Sequence, residues 1–255
     1  MAERLGARQR LTGMRKCLLA VVLTLPLLLT GCGDNRPVLD GGHGQFASPS
    51  ADRSACGAAD ADAAEVARAD LDGDGATDAV RYVGPGANQD CPAGLIATVG
   101  GRPLFAAVQA DTVVTRADVS VVQLPGRSGQ LLLIKQTHPR GGFQARLFGY
   151  AGAKLEELTV GSKPVLGFVA TDVQSTAFSA RCTDDGFEVL AARPHQPIGI
   201  VPAWDIDRTT YAVEGNTVAP GATTEIADNV LDKQLRAKYS ELVNYSLFAN
   251  CRVPG

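Results

Sequence analysis

The chain contains the segment Asp70-Leu71-Asp72-Gly73-Asp74-Gly75-Ala76-Thr77-Asp78, in which aspartates stand at positions 1, 3, 5 and 9. Alternate residues of a tight loop can direct their carboxylates at one centre, and calcium takes six to eight oxygen ligands. Gly73 and Gly75 allow the left-handed backbone that such wrapping requires. The segment therefore predicts a calcium loop, to which the carbonyl of Ala76 can add a ligand.

A solvated Asp/Gly turn is the alternative to a cation site in residues 70–78. Four carboxylates within nine residues repel one another when no cation lies between them, which favours the calcium loop. An EF-hand would need a carboxylate at position 12, but that residue is Arg81, and no helical pattern brackets the loop. Apolar residues such as Val66 and Val80 flank the loop, so we expect it to join two strands.

Short apolar runs rich in Val, Ile, Leu, Phe and Tyr make up most of the chain beyond the loop, and Gly, Pro and Asn separate them. Such runs between turn residues are typical of β-strands. The predicted strands are residues 79–83, 95–99, 104–108, 119–124, 131–136, 145–150, 165–170, 187–192 and 209–213. Their regular spacing favours a β-sandwich, barrel or propeller.

The loop and its flanking runs resemble the calcium loop of FG-GAP/VCBS-type β-propeller repeats, in which a DxDxDGxxD loop connects adjacent strands of a blade. The resemblance covers about residues 64–110. It implies calcium as a structural cofactor, with four side-chain ligands and one backbone ligand. These are the carboxylates of Asp70, Asp72, Asp74 and Asp78 and the carbonyl of Ala76.

A weak internal repeat with an offset of 51 residues also indicates blade-like hairpins. The matched pairs are Val80 with Leu131, Val83 with Ile134, and Gly101 with Gly152. The second copy of the loop, residues 121–129, keeps a glycine but has no carboxylate, so it cannot bind calcium in the same way. A third closing hairpin around Gly215 follows at an offset of 63. Chance similarity among β-hairpins is the alternative.

The predicted fold is mainly β, with antiparallel hairpin or blade-like repeats that form a partial β-propeller-like domain, followed by a C-terminal α-helix. A complete propeller needs about four blades, and the chain has room for about three. The helix is expected at about residues 228–243, with Asp228 as its N-cap and Asp232 in its first turn. Its apolar stripe consists of Leu231, Leu235, Tyr239 and Leu242.

The first 31 residues have the pattern of an export signal, with a basic stretch followed by an apolar run at residues 17–29. That run is too short to span a bilayer, which needs about 20 residues. Leu29-Thr30-Gly31-Cys32 resembles the lipobox of bacterial lipoproteins. The resemblance implies cleavage before Cys32 and lipidation of its sulfur; an ordinary secretory signal is the alternative. Met14 is a second possible start.

Residues 32–55 are rich in Gly, Ser, Pro and Asp, which is typical of a flexible tether, and residues 56–255 are expected to form the folded domain. The signal holds five of the 24 basic and one of the 27 acidic residues, which leaves 19 and 26 and a net charge of about −7. This acidity argues against nucleic acid as a partner and against binding to anionic headgroups. The lipid would therefore attach the protein to the extracytoplasmic face of the cell membrane.

Four cysteines remain after Cys32, and an even number outside the cytoplasm indicates disulfides. They are Cys56, Cys91, Cys182 and Cys251. Of the three pairings, Cys56–Cys91 with Cys182–Cys251 is preferred, because each pair brackets one compact section. A metal site formed by these cysteines is disfavoured, because the sequence has no CxxC motif.

Catalytic motifs such as GxSxG, HExxH and the P-loop are absent from the sequence. The leading hypothesis is therefore a non-enzymatic surface or envelope module that binds a protein or glycan. The alternative is a tethered hydrolase or carbohydrate-binding protein that uses the loops around His138, His195 and Trp204, with Asp205 or Asp207 orienting a histidine. A solute-binding lipoprotein is less favoured, because the two-lobed α/β pattern is missing.

Overall fold

The computed structural model describes residues 63–85, 92–108, 113–137, 142–169, 177–195 and 203–253. Strands dominate these residues and two short helices follow them, which confirms the predicted mainly β fold. Some predictions concern residues outside these ranges. They are the signal at residues 1–31, the tether at residues 32–55, the lipidation site Cys32, the Cys56–Cys91 disulfide and a role for His138.

The first sheet is an antiparallel meander in chain order. Its strands are β1 (Ala64–Ala69), β2 (Asp78–Val83), β3 (Gly94–Val99) and β4 (Arg102–Ala107). The aspartate-rich loop joins β1 to β2, as expected. Gly100 and Gly101 close the β3–β4 hairpin with φ values of 55° and 76°. Two positive φ angles suit a two-residue turn whose twist matches the strands it connects.

The second sheet repeats this meander after a 3₁₀ turn at Arg116–Asp118. Its strands are β5 (Val119–Val122), β6 (Leu131–Thr137), β7 (Phe143–Ala151) and β8 (Lys154–Glu157). Gly152 and Ala153 close the β7–β8 hairpin with positive φ. The strand predicted at residues 165–170 is shorter in the structure, where β11 (Phe168–Val169) pairs with the start of β7.

The third sheet contains another antiparallel meander, whose closing turn includes Gly215. Its strands are β12 (Ala177–Thr183), β13 (Gly186–Pro194), β14 (Ala203–Glu214) and β15 (Thr217–Leu231). Two short strands, β9 (Thr159–Val160) and β10 (Lys163–Pro164), extend the sheet beyond β15. The closing turns of the three meanders are residues 100–101, 152–153 and 215–216. The second offset is 63 residues, as predicted, whereas the first is 52 and not 51, so Gly100 and not Gly101 corresponds to Gly152.

The C-terminal helix differs from the prediction of one helix at about residues 228–243. Instead, α1 (Asp232–Lys238) and α2 (Ser240–Val243) are separated at Tyr239. Asp228 is not the N-cap, because pairing of β15 with β14 continues to Leu231 and engages the backbone that a helix would need. Within the predicted stripe, Leu235 and Leu242 are buried, whereas Leu231 is exposed.

The second sheet is buried on both faces, which explains its continuous run of apolar residues. Leu132 and Ile134 point into the cluster shared with the first sheet, and Leu131 and Leu133 point into the cluster shared with the third. A separate cluster packs the two helices against β13, β14 and β15. No helix among the described residues is long and apolar enough to cross a bilayer.

Candidate functional site

Asp70 organises the aspartate-rich loop from its first position. Its Oδ1 accepts a hydrogen bond from the backbone N–H of Gly73 at 2.7 Å, and its Oδ2 accepts one from Gly75 at 3.0 Å. Both glycines are left-handed, with φ of 78° and 88°, as the sequence predicts. Because residues with a Cβ rarely adopt this conformation, the glycines allow the backbone to wrap around the carboxylate.

Asp72 and Asp74 complete a compact group of carboxylates with Asp70. Oxygen atoms of the three side chains lie within 4.8 Å of one another. Asp72 accepts the N–H of Asp74 at 3.2 Å, and Asp74 accepts the N–H of Ala76 at 2.7 Å, so local hydrogen bonds orient both carboxylates. This arrangement of hard oxygen donors can hold a calcium ion.

Asp78 has a different environment from the other three aspartates. It begins β2 and is 9% exposed, and its Oδ2 accepts the N–H of Leu71 at 3.0 Å. Burial raises the pKa of the Asp78 carboxyl, and the negative charges of the three other aspartates act in the same direction. The structure therefore groups three of the four predicted side-chain ligands and places Asp78 where it also fixes the base of the loop.

The loop that follows β5 holds the aspartate-rich loop in position. The N–H of Gln130 donates to the Asp70 carbonyl at 2.7 Å, and the Gln130 Oε1 accepts the Asp70 N–H at 2.8 Å. A Cβ on Gly73 would lie only 2.6 Å from the Cβ of Ser128. The role of Gln130 was not predicted, because it depends on contact between residues 60 positions apart.

Arg127 anchors this second loop through its guanidinium group. The side chain donates to the carbonyls of Gly129 at 3.0 Å and Tyr150 at 2.9 Å, and also to the carbonyl of Gly215. Burial lowers the pKa of Arg127. One side chain thus connects the second loop to the closing hairpins of the second and third sheets.

A cavity of about 520 Å³ lies beside these two loops. Asp72, Arg127 and Ser128 line it, and the third sheet contributes Asp184 and Glu214. The corresponding loops of all three meanders therefore meet at one cavity, whose lining includes four carboxylates and the guanidinium group of Arg127. Asp72 is the member of the aspartate group that lines this cavity.

A second group of side chains forms around His195, which follows β13. Its Nδ1 lies 2.7 Å from Asp205 Oδ1 and 3.3 Å from Asp228 Oδ1. Since carboxylates only accept hydrogen bonds, Nδ1 carries the proton in this arrangement. The hydrogen bond to Asp205 raises the pKa of His195. The sequence predicted Asp205 as a partner of a histidine, but it treated Asp228 as a helix cap.

Trp204, which the alternative hypothesis assigned to a functional loop, lies in β14 and packs against the apolar cluster of the third sheet with Ile206 and Leu235. The adjacent Asp207 pairs with Arg193 and not with His195. Within the described part of the chain, His195 and Asp205 are thus the members of the alternative site that come together. Comparisons with protein-family models, with curated proteins and with solved structures gave no match.

Proposed function

We propose that this protein is a lipid-anchored lipoprotein of the extracytoplasmic membrane face, and that calcium stabilises its β domain. The domain serves as a non-enzymatic module that binds a protein or glycan of the envelope. The observation that carries the calcium assignment is the group formed by Asp70, Asp72 and Asp74, whose oxygens lie within 4.8 Å of one another.

Charge supports a divalent cation at this group. Three carboxylates this close repel one another, and Asp78 adds a fourth negative charge at the base of the loop. The oxygens that accept backbone N–H groups keep further lone pairs for an ion. Calcium is the hard cation suited to an all-oxygen loop.

An extracytoplasmic location is supported by two independent features. Leu29-Thr30-Gly31-Cys32 has the pattern of a lipobox. Cys182 and Cys251 form a disulfide with a Cα–Cα distance of 6.1 Å, which agrees with the pairing preferred from the sequence. Disulfides persist in oxidising compartments, where extracellular modules bind calcium with dissociation constants of about 0.1–1 mM.

Calorimetric titration of the detergent-solubilised full-length protein with calcium tests the metal assignment. At a free calcium concentration ten times the dissociation constant, the free energy of unfolding should rise by about 1.4 kcal/mol, and a chelator should reverse the increase. Asp74→Ala should abolish the response. Glu225→Ala removes an exposed carboxylate of β15, outside the loop and the adjacent cavity, and should preserve the response. An absence of binding heat in the unmodified protein would contradict the proposal.

Membrane fractionation tests the anchor separately. The unmodified protein should remain with membranes and require detergent for release, because two or more acyl chains give stable attachment. Cys32→Ser should appear in the soluble extracytoplasmic fraction, whereas Cys91→Ser should remain attached. Retention of the Cys32→Ser protein in membranes would show that lipid on Cys32 is not what attaches the protein.

A further inference from the structure

We propose that His195, Asp205 and Asp228 form a second metal site, which binds a divalent transition-metal ion such as Zn²⁺ independently of the calcium loop. The three side chains each offer one ligand atom, and these atoms lie within 4.8 Å of one another. His195 directly follows β13, whereas Asp205 and Asp228 lie in β14 and β15, so the site depends on the tertiary fold.

A β-bulge brings Asp228 into the group. Trp204 pairs with Val230 and Ile206 pairs with Ala227, so two residues of β15 stand opposite Asp205 alone. The extra residue, Asn229, has a φ of 50°. A bulge changes the direction of neighbouring side chains, and here the Asp228 carboxylate comes close to the histidine.

The distances suit a small divalent ion. Zinc binds nitrogen and oxygen ligands at about 2.0–2.2 Å, so neighbouring ligand atoms of a tetrahedral site lie about 3.4 Å apart. The distance of 3.3 Å from His195 Nδ1 to Asp228 Oδ1 matches this spacing. The distance of 2.7 Å from Nδ1 to Asp205 Oδ1 is shorter and would have to increase by about 0.7 Å when an ion replaces the Nδ1 proton.

The ligand types distinguish this site from the aspartate-rich loop. Calcium and magnesium prefer oxygen ligands, whereas imidazole nitrogen suits zinc and its neighbours in the first transition row. Two carboxylates with a neutral imidazole carry a charge of −2, which balances a divalent ion. The nearby cation Arg193 pairs with Asp207, which leaves both site carboxylates for the metal.

Two further features favour binding at this position. The backbone N–H of Asn229 donates to Asp205 Oδ1 at 3.1 Å, the kind of supporting contact that orients metal ligands. His195 and Asp205 are each about 30% exposed at their side chains and Asp228 is 61% exposed, so an ion can enter from solvent. Three protein ligands leave a fourth position for water.

Zinc titration of the full-length protein in millimolar calcium tests this site, because calcium then occupies the loop at residues 70–78. We expect one equivalent of Zn²⁺ to bind, and Co²⁺ to give the visible absorption bands of a tetrahedral ion. His195→Ala and Asp228→Asn should each weaken zinc binding by about tenfold or more. Asp205→Asn keeps an acceptor for Asn229 and should weaken binding similarly.

Matched variants separate this site from the calcium loop. Glu225→Gln removes an exposed carboxylate from β15, three residues from Asp228, and should leave zinc affinity within about twofold of the unmodified protein. Asp74→Ala should abolish the calcium response yet retain zinc binding. Either of two results would overturn the proposal: no stoichiometric zinc binding, or zinc binding that Asp228→Asn and His195→Ala leave unchanged.

Discussion

The loop between β1 and β2 in the first meander and the loop between β5 and β6 in the second occupy equivalent places, but side chains of opposite charge stabilise them. In the first, the anionic Asp70 accepts hydrogen bonds from backbone N–H groups of its own loop. In the second, the cationic Arg127 donates hydrogen bonds to backbone carbonyls of three segments. The difference shows that the 51-residue repeat preserves the position of a loop while its means of stabilisation changes.

In the third meander, a covalent bond lies beside the equivalent turn. Its corresponding turn, Asp184–Asp185, directly follows β12, in which Cys182 forms the disulfide with Cys251. The side chain of Asn250 also bonds to both the N–H and the carbonyl of Cys182 at 3.0 Å. An ion, a guanidinium group and a disulfide would therefore hold three equivalent loops, and each can be removed separately.

Loss of the Cys182–Cys251 disulfide should lower the free energy of unfolding by the largest amount. The two cysteines are 69 residues apart, and closing a loop of that length stabilises a protein by about 4 kcal/mol in the chain-entropy description. We expect the double variant Cys182→Ser, Cys251→Ser to lose about that amount in urea unfolding. Reduction of the unmodified protein should cost at least as much, because it would also break the predicted Cys56–Cys91 disulfide. A loss below about 1 kcal/mol would show that Asn250 and local packing hold this turn without the covalent link.

Arg127→Ala should have the next largest effect. It removes hydrogen bonds from a charged donor to three carbonyls, and we expect the free energy of unfolding to fall by about 3 kcal/mol. The loss should be at least as large with calcium as with chelator, because Arg127 anchors the loop that holds the aspartate-rich loop in position. Arg236→Ala is the matched control, because this exposed arginine pairs with Asp232 one helical turn away, and its loss should cost about 0.5 kcal/mol. Equal losses for the two variants would contradict the anchoring role of Arg127.

Much of this fold could be predicted from local sequence patterns. The apolar runs identified β2, β3, β6 and β13 closely, because turn residues bound them on both sides. The β12 strand was missed because its sequence, AFSARCT, mixes small, polar and apolar residues and depends on pairing with β13. The C-terminal helix began too early for a similar reason: helical spacing at Leu231 could not reveal that β14 already pairs with it.

The candidate sites also differ in how far they could be predicted from local sequence. The aspartate-rich loop is local, so the spacing of Asp70, Asp72 and Asp74 was enough to predict that they converge. The roles of Arg127 and Asp228 depend on residues tens of positions away, and only the register of the strands reveals them. Local chemistry is therefore visible in one sequence, whereas contacts between meanders are not.

Two glycine substitutions can separate backbone strain from contact between the loops. Gly73 and Gly75 both have positive φ, but only a Cβ at Gly73 would collide with Ser128, whereas a Cβ at Gly75 meets nothing within 4 Å. Gly75→Ala should cost about 1 kcal/mol through strain alone. Gly73→Ala should cost about 2 kcal/mol or more, since overpacking adds to the strain. Equal costs in chemical denaturation would show that the first and second loops do not support each other.

The smallest effect concerns the strands. In the second meander the side chains of Arg146 and Glu157 form an ion pair at 3.0 Å. The positions at the same distance from the closing turn of the first meander are Gly94 and Phe105, which carry no charge. Burial raises the pKa of Glu157 above its ordinary value of 4.5, although Arg146 opposes the shift. The unmodified protein should therefore lose stability as the pH rises from about 4.5 through the raised pKa, by about 1.4 kcal/mol for each pKa unit.

Glu157→Gln should remove this pH dependence. Below pH 4.5 the variant and the unmodified protein should have similar stability, because a protonated Glu157 resembles glutamine. At neutral pH the variant should be more stable, as urea unfolding between pH 4 and 8 would measure. If the unmodified protein instead gained stability relative to Glu157→Gln as the pH rose, the attraction of Arg146 would outweigh the cost of burial. The ion pair between Arg146 and Glu157 would then stabilise the second meander at neutral pH.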